Sequence, residues 1–203
     1  MSVSGVDVPR ETVLKLESFA DLLIKWNRKI NLLAPGEIDR LRERHIEDSI
    51  QVHGLAPSTA RTWMDLGSGA GFPGLICAIL DTSLHPDREF TLVESDARKC
   101  AFLREAIRLS GARAQVLNQR IEDISKTTFD VISARALAPL PKLLSLAAPF
   151  AHARSGFLFP KGRNAESELT QAAADWHVSV ERIPSRTDPG ATILKLTEVT
   201  ARS

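Results

Sequence analysis

The sequence predicts an α/β fold: a mostly parallel seven-stranded sheet with its last strands antiparallel, entered through an N-terminal helical extension. Three observations lead there. From residue 62 onward, apolar runs of strand length alternate with amphipathic stretches of helical length, the pattern of parallel strands joined by covering helices. The first such strand runs straight into "DLGSGAGFPG" at 65–74, a glycine cluster where a strand must turn into a helix. The last two runs have no helix between them, only "PSRTDPG", and so pair as an antiparallel hairpin.

Taken in order, residues 11–33 carry Leu16, Phe19, Leu23, Trp26 and Ile30 along one helical side. "APGE" interrupts that helix. "EIDRLRERHIEDSIQVHGL" at 37–55 reads as a second amphipathic helix, ended by Gly54 and Pro57. "TWMDL" is the first strand and "PGLICAIL" the helix behind the glycines. "EFTLVES" is a strand, followed by the helix "DARKCAFLREAIRLSG", which Gly111 closes. "AQVLN" and "FDVISARA" are strands, with "LPKLLSLAAPF" as the helix after the second. "GFLFP" is the fifth strand and "NAESELTQAAA" its helix; "WHVSVERI" and "ATILKLTEV" are the final pair. Residues 1–58 are expected to form the helical extension and 59–203 the α/β domain, together one compact unit.

With 203 residues, 43% of them hydrophobic and 25% charged, the chain can bury a substantial core. The net charge of +1 neither demands nor excludes a nucleic-acid partner, since a local basic patch is enough. Cys77 and Cys100 have neither metal-ligand spacing nor that of a disulfide framework. They are expected to pack on helices in a reducing compartment, and no metal site is expected. The first residues do not read as a signal peptide, and no apolar run reaches membrane-spanning length. The expectation is a soluble, cytoplasmic monomer with no membrane partner.

The glycine cluster asks what lies so close to the backbone that side chains are excluded. Gly67 and Gly69 take positive φ without steric cost, and Gly71 lets the next helix pack closely. The bare amides at the helix start invite a polar or anionic ligand. A P-loop needs Lys and then Ser or Thr after its last glycine, but Leu75 follows Gly74. A dinucleotide fold wants its third glycine at the sixth position, where this chain has Phe72. What remains is an acidic residue, a spacer, and Gly-x-Gly-x-Gly: Asp65 followed by Gly67, Gly69 and Gly71. This resembles the first motif of the class I S-adenosylmethionine-dependent methyltransferases, which have a Rossmann-like fold. The resemblance implies that Asp65 helps to position the amino-acid part of the cofactor. Glu94 ends "TLVE", where an acidic residue accepts from two ribose hydroxyls.

The Asn/Asp-Pro-Pro-aromatic motif of exocyclic-amine methylation is missing; the fourth strand runs on as "ISARALAPL". The Pro-Cys nucleophile of pyrimidine-carbon methylation is missing too. In order, "INLLAPGE", "RHIEDSI", "DLGSGAGFPG", "LVESDARKCAFLRE", "NQRIED", "ISARA" and "FPKGRN" resemble the glucose-inhibited-division protein B group. These are bacterial, cytoplasmic small-subunit ribosomal RNA (guanine-N7) methyltransferases, and the resemblance runs from about residue 25 to the C-terminus. It implies methylation of one guanine in a conserved loop of 16S rRNA, on free RNA or on the small ribosomal subunit. It also implies that Gly67 and Phe72 line the S-adenosylmethionine site, that Ile121 and Glu122 flank the adenine, and that Arg135 stands at its mouth. The final strands after Pro184 are the least family-like part and receive no role. Guanine N7 has a lone pair and no proton to lose, so direct in-line transfer needs no general base.

Positioning candidates are His45, Asp48 and Ser49, three and four apart on one helical face. They touch the target base or simply dock the helix through polar contacts. Arg135 is either a contact to cofactor carboxylate or RNA phosphate, or a salt bridge to Glu122 or Asp65. Lys25 and Arg28 on the first helix, and Lys161 and Arg163 in "FPKGRN", are the RNA-binding candidates. Two alternatives stay open: a methyltransferase acting on a small molecule or protein, and a dinucleotide-dependent or non-catalytic nucleotide-binding protein.

Overall fold

The computed structural model describes residues 2, 3 and 6–202, with side chains from Val8 onward. Strands β1 (Ser2–Val3) and β2 (Val6–Asp7) pair antiparallel ahead of helix α1 (Arg10–Asn27). Leu16, Phe19, Ala20 and Leu23 form the buried side of α1. The helix expected to reach residue 33 stops at Asn27. There the Asn27 Oδ1 accepts from the backbone N–H groups of Leu32 and Leu33, both at 2.9 Å. A side-chain acceptor thus replaces the carbonyls a continuing helix would offer.

The second expected helix is also different. Leu41–Ile46 forms a wide π-type turn that runs into α2 (Glu47–His53). The Glu47 N–H bonds back to the Arg42 carbonyl, and the extra residue in the turn brings Leu41, His45 and Ile46 inward together.

The sheet contains β3 (Thr62–Leu66), β4 (Glu89–Glu94), β5 (Ala114–Asn118), β6 (Phe129–Ala134), β7 (Ala151–Lys161), β8 (Trp176–Pro184) and β9 (Thr192–Ala201). Their order is β5-β4-β3-β6-β7-β9-β8. The first five are parallel; β9 is antiparallel to β7 and to β8. Strand β7 begins five residues before the expected "GFLFP". Its polar start pairs through an irregularity opposite Phe129–Val131, where the Ser155 hydroxyl donates to the Phe129 carbonyl at 2.6 Å. The last strand in sequence lies inside the sheet because it carries Ile193, Leu194 and Leu196, all buried. The more polar β8 takes the edge.

Both faces are covered. Helices α1, α2, α3 (Gly74–Asp81) and α4 (Ala97–Ser110) share one apolar core with Trp63, Phe90 and Val131. Helices α5 (Leu140–Ala147) and α6 (Ala165–Ala172) share the other with Met64, Leu66 and Ile132. Neighbouring strand residues therefore serve opposite cores. Cys77 and Cys100 are buried on α3 and α4, where burial pushes both thiols up, away from nucleophilic use.

At the lower end of the sheet a buried polar pin ties α2 to the α/β layers. His53 Nε2 lies 2.7 Å from Asp81 Oδ1, and Arg88 Nη1 donates to Asp81 Oδ2 at 2.9 Å. Arg88 also donates to the carbonyls of Ala60 and Pro57. His53, Asp81 and His85 converge as metal ligands would, but the Arg88 guanidinium already matches the Asp81 charge. Among the described residues no helix is long and apolar enough to cross a membrane.

Candidate active site

The glycine turn leaves β3 beside the end of β4, because Leu66 pairs with Val93 in parallel register. Gly67, Gly69 and Gly71 hold φ of +66°, +53° and +93°, a region in which a side chain is strained. The Gly69 N–H donates to Glu94 Oε2 at 3.1 Å, and the Asp96 N–H to Oε1 at 2.8 Å. Two backbone donors therefore fix the Glu94 carboxylate, and each oxygen keeps a second lone pair for a ligand. A cavity of about 420 Å³ opens before it, lined by Gly67, Gly69, Glu94, Ile121, Glu122 and Leu137 among others.

A second cavity of about 640 Å³ adjoins the first, and both are walled by Ala136, Leu137 and Ala138. His45, Asp48, Arg135 and Lys161 face this larger one. Arg135 Nη1 donates to His45 Nδ1 at 2.7 Å. With Nδ1 accepting, the ring proton belongs on Nε2, which lies 2.8 Å from Glu37 Oε2. Burial, reinforced by the Arg135 charge, draws His45 down to about 4, so the imidazole is neutral at pH 7. Phe72 is the platform for both groups. The His45 ring stacks on it at 5.3 Å between centroids, and the Arg135 guanidinium lies 4.8 Å from its centroid. Burial lowers Arg135 to about 10, which still leaves it charged at pH 7.

Against this geometry stand the likenesses to known proteins. A profile of the GidB family, described as rRNA small subunit methyltransferase G, matches residues 12–190. The chain belongs to the GidB family. It is 53% identical over 191 residues to "Ribosomal RNA small subunit methyltransferase G" of Gluconobacter oxydans (strain 621H), covering 94% of this chain and 96% of that one. It is 48% identical over 199 residues to the protein of the same name from Paramagnetospirillum magneticum (strain ATCC 700264 / AMB-1), covering 98% and 94%. Among solved structures, a ribosomal protein L11 methylase from Lactobacillus delbrueckii subsp. bulgaricus superposes with a TM-score of 0.61 at 15% identity, over 76% of this chain and 78% of that one. A SAM-dependent methyltransferase from Aquifex aeolicus gives 0.59 at 15%, over 87% and 97%. At such identities the likeness is one of fold, that of the class I methyltransferases.

The GidB-family expectations fall unevenly on the structure. Gly67, Gly69, Glu94, Ile121 and Glu122 meet in the smaller cavity. Asp65 lines neither cavity; it is fully buried beneath the turn. Ser133 Oγ donates to its Oδ1 at 2.6 Å, and its Oδ2 has no hydrogen-bond partner among the described residues. Burial pushes the Asp65 carboxyl up to about 6, against the Ser133 hydrogen bond. Gly74 is required by this arrangement, because a Cβ there would run into the Asp65 carboxyl. Gly71 packs on Leu75 and Phe19, and Phe72 is buried as the platform rather than as cavity lining. Arg135 faces the larger cavity and hydrogen-bonds His45, not Glu122 or Asp65.

His45 and Asp48 reach the larger cavity together, but Ser49 does not; it is buried and its hydroxyl donates to the His45 carbonyl at 2.7 Å. Lys161 lines the cavity with Nζ 2.8 Å from both Glu168 Oε2 and the Ala138 carbonyl. Arg163 is exposed and packs beside Gly190. Lys25 and Arg28 are exposed at the end of α1 and line neither cavity. Sequence reasoning passed over Glu37, Leu137 and Glu168, and above all the loop between β8 and β9. Ser185 Oγ and Thr187 Oγ1 both donate to Asp48 Oδ1, at 3.1 and 2.5 Å. The only signal was the Ser, Thr and Asp content of "PSRTDPG", which reads equally well as turn chemistry.

Proposed function

We propose that this protein transfers the methyl group of S-adenosylmethionine to N7 of a guanine at one position of 16S small-subunit rRNA, in the cytoplasm and as a monomer. The observation that carries the reading is the meeting of two cavities across Ala136, Leu137 and Ala138. Both volumes lie in the range of small-molecule sites, on the order of 300–1,000 Å³. The cofactor fits the residues of the smaller one. The remaining lone pairs of Glu94 suit the ribose hydroxyls, buried Ile121 suits an adenine face, and the bare backbone at Gly67 and Gly69 leaves room for the methionine part. When bound, S-adenosylmethionine supplies an electrophilic sulfonium methyl. The RNA comes from the relatives, which are named for small-subunit ribosomal RNA.

Little chemistry is then asked of the chain. Guanine N7 offers a lone pair and loses no proton, so no general base is needed. The larger cavity has to hold the base in line and exclude water; positioning of this kind supplies roughly 7 kcal/mol or more in favourable cases. The purine becomes cationic on methylation, and the Asp48 carboxylate in the cavity wall has the sign that favours this.

The test is labelled S-adenosylmethionine with small subunits, and separately with naked rRNA, both from cells lacking this protein. Borohydride reduction and aniline then cleave the RNA at 7-methylguanine. One strong new cleavage is expected. Label entering RNA without cleavage would overturn the N7 assignment. No label in either RNA would move the reaction to a small-molecule or protein acceptor.

A further inference from the structure

We propose that Asp48 selects guanine by accepting hydrogen bonds from N1–H and the N2 amino group of the base in the larger cavity. The inference rests on the guanine reading above and gives it a residue.

The cavity's other charged groups are already engaged with protein. Lys161 is held by Glu168 and the Ala138 carbonyl, and the same Glu168 oxygen accepts from the Leu140 N–H at 2.7 Å. Arg44 lies between Glu37 at 3.6 Å and Asp188 at 3.3 Å. His45 is neutral and sits between Arg135 and Glu37. Asp48 is different. Both of its hydrogen-bond donors among the described residues, Ser185 Oγ and Thr187 Oγ1, go to Oδ1. No hydrogen bond or ion pair among those residues reaches Oδ2. The two hydroxyls fix the orientation of the carboxylate and fill the two lone pairs of Oδ1, which leaves the two on Oδ2 to accept from a base.

Arg135 supplies the second half of the recognition. It faces the same cavity and feels the Asp48 charge, yet no ion pair joins them among the described residues. Among the described residues only Nη1 of its guanidinium makes a hydrogen bond, to His45. The cavity thus presents guanidinium donors and, on Asp48 Oδ2, an acceptor with two lone pairs. On the Watson–Crick edge, guanine reads acceptor, donor, donor (O6, N1–H, N2–H). Uracil reads acceptor, donor, acceptor; cytosine donor, acceptor, acceptor; adenine has a donor beside an acceptor. Guanine alone gives a carboxylate two adjacent N–H groups and a guanidinium a neighbouring oxygen. That pairing leaves N7, on the other side of O6, free for the methyl group. It also sets a negative charge against the ring that becomes cationic.

The test uses small subunits reconstituted with guanosine or inosine at the position that the wild-type protein methylates. Inosine keeps O6, N1–H and N7 and lacks only the N2 amino group. Single-turnover transfer is measured for the wild type and for Asp48→Asn, whose amide oxygen can keep both hydroxyl donors. Binding of S-adenosylhomocysteine is measured by calorimetry alongside. The wild type should lose about tenfold or more on inosine, and Asp48→Asn about 100-fold on guanosine. Asp48→Asn should then be nearly indifferent to the change from guanosine to inosine, with S-adenosylhomocysteine affinity unchanged. Equal sensitivity of the two proteins to inosine would mean a structural Asp48 and overturn the inference, as would full activity of the variant. A wild-type protein that methylates but leaves no 7-methylguanine would overturn the guanine-N7 reading itself, and this inference with it.

Discussion

Asp65 is a fully buried carboxyl, and its replacement by Asn has a calculable signature in stability against pH. Its folded pKa is raised by burial to about 6, from the ordinary 3.8. The folded chain therefore holds a proton that the unfolded chain releases earlier. Stability associated with this group is fully present below 3.8 and is lost as the pH rises through about 6. A shift of one unit is about 1.36 kcal/mol, so the penalty is ~1.6 kcal/mol at pH 5 and ~3 kcal/mol at pH 8. Asn carries no such penalty and keeps an acceptor for the Ser133 hydroxyl. Its amide nitrogen, where Oδ2 now has no partner, costs roughly 1–3 kcal/mol at every pH. The decisive quantity is the difference between the two proteins, which removes the other titrating carboxyls. Urea unfolding at pH 5, 6, 7 and 8 should show Asp65→Asn gaining ~1.4 kcal/mol on the wild type across that range. Parallel stability curves would refute the account of a buried carboxyl strained by ionisation at neutral pH.

Further outcomes follow from the same geometry. Glu94→Gln should weaken S-adenosylhomocysteine binding about 10- to 100-fold by calorimetry, because a charge-assisted acceptor for hydroxyls is lost and the Gly69 and Asp96 anchors are disturbed. Asp81→Ala should cost about 3–5 kcal/mol in chemical denaturation, since Arg88 would be left buried and unpaired. With His45 held near 4, its deprotonation should add no step to the transfer rate between pH 6 and 8; a step near 6.5 that vanishes in His45→Gln would contradict the neutral ring hydrogen-bonded by Arg135.

Much of the architecture was legible because it depends on short-range pattern. The switch from helical to strand-and-helix rhythm at residue 62 is a matter of apolar spacing, and all seven strands of the sheet were found from it. The helix ends were less legible where a side chain took over backbone bonding, as Asn27 does, and where the chain widened into the π turn at Leu41–Ile46. Spacing alone put Ser49 with His45 and Asp48, but its buried hydroxyl turns back along α2 to donate to the His45 carbonyl four residues earlier.

The residues of the glycine turn and Glu94 could be picked out without coordinates, since a strand, a tight turn and a helix start are written in about ten consecutive residues. Their neighbours in space could not. Asp48 meets Ser185 across 137 residues of sequence and Thr187 across 139. That contact exists because β9 lies inside the sheet, β8 takes its edge, and the loop between them returns over α2. Phe72 belongs to the glycine motif, yet folding makes it the platform under His45 and Arg135. Periodicity and turn chemistry act over a few residues and can be read along the chain. The neutrality of His45, the burial of Asp65 and the Asp48 oxygen that has no partner among the described residues depend on which distant groups sheet order brings within a few ångströms, and so only the folded chain decides them.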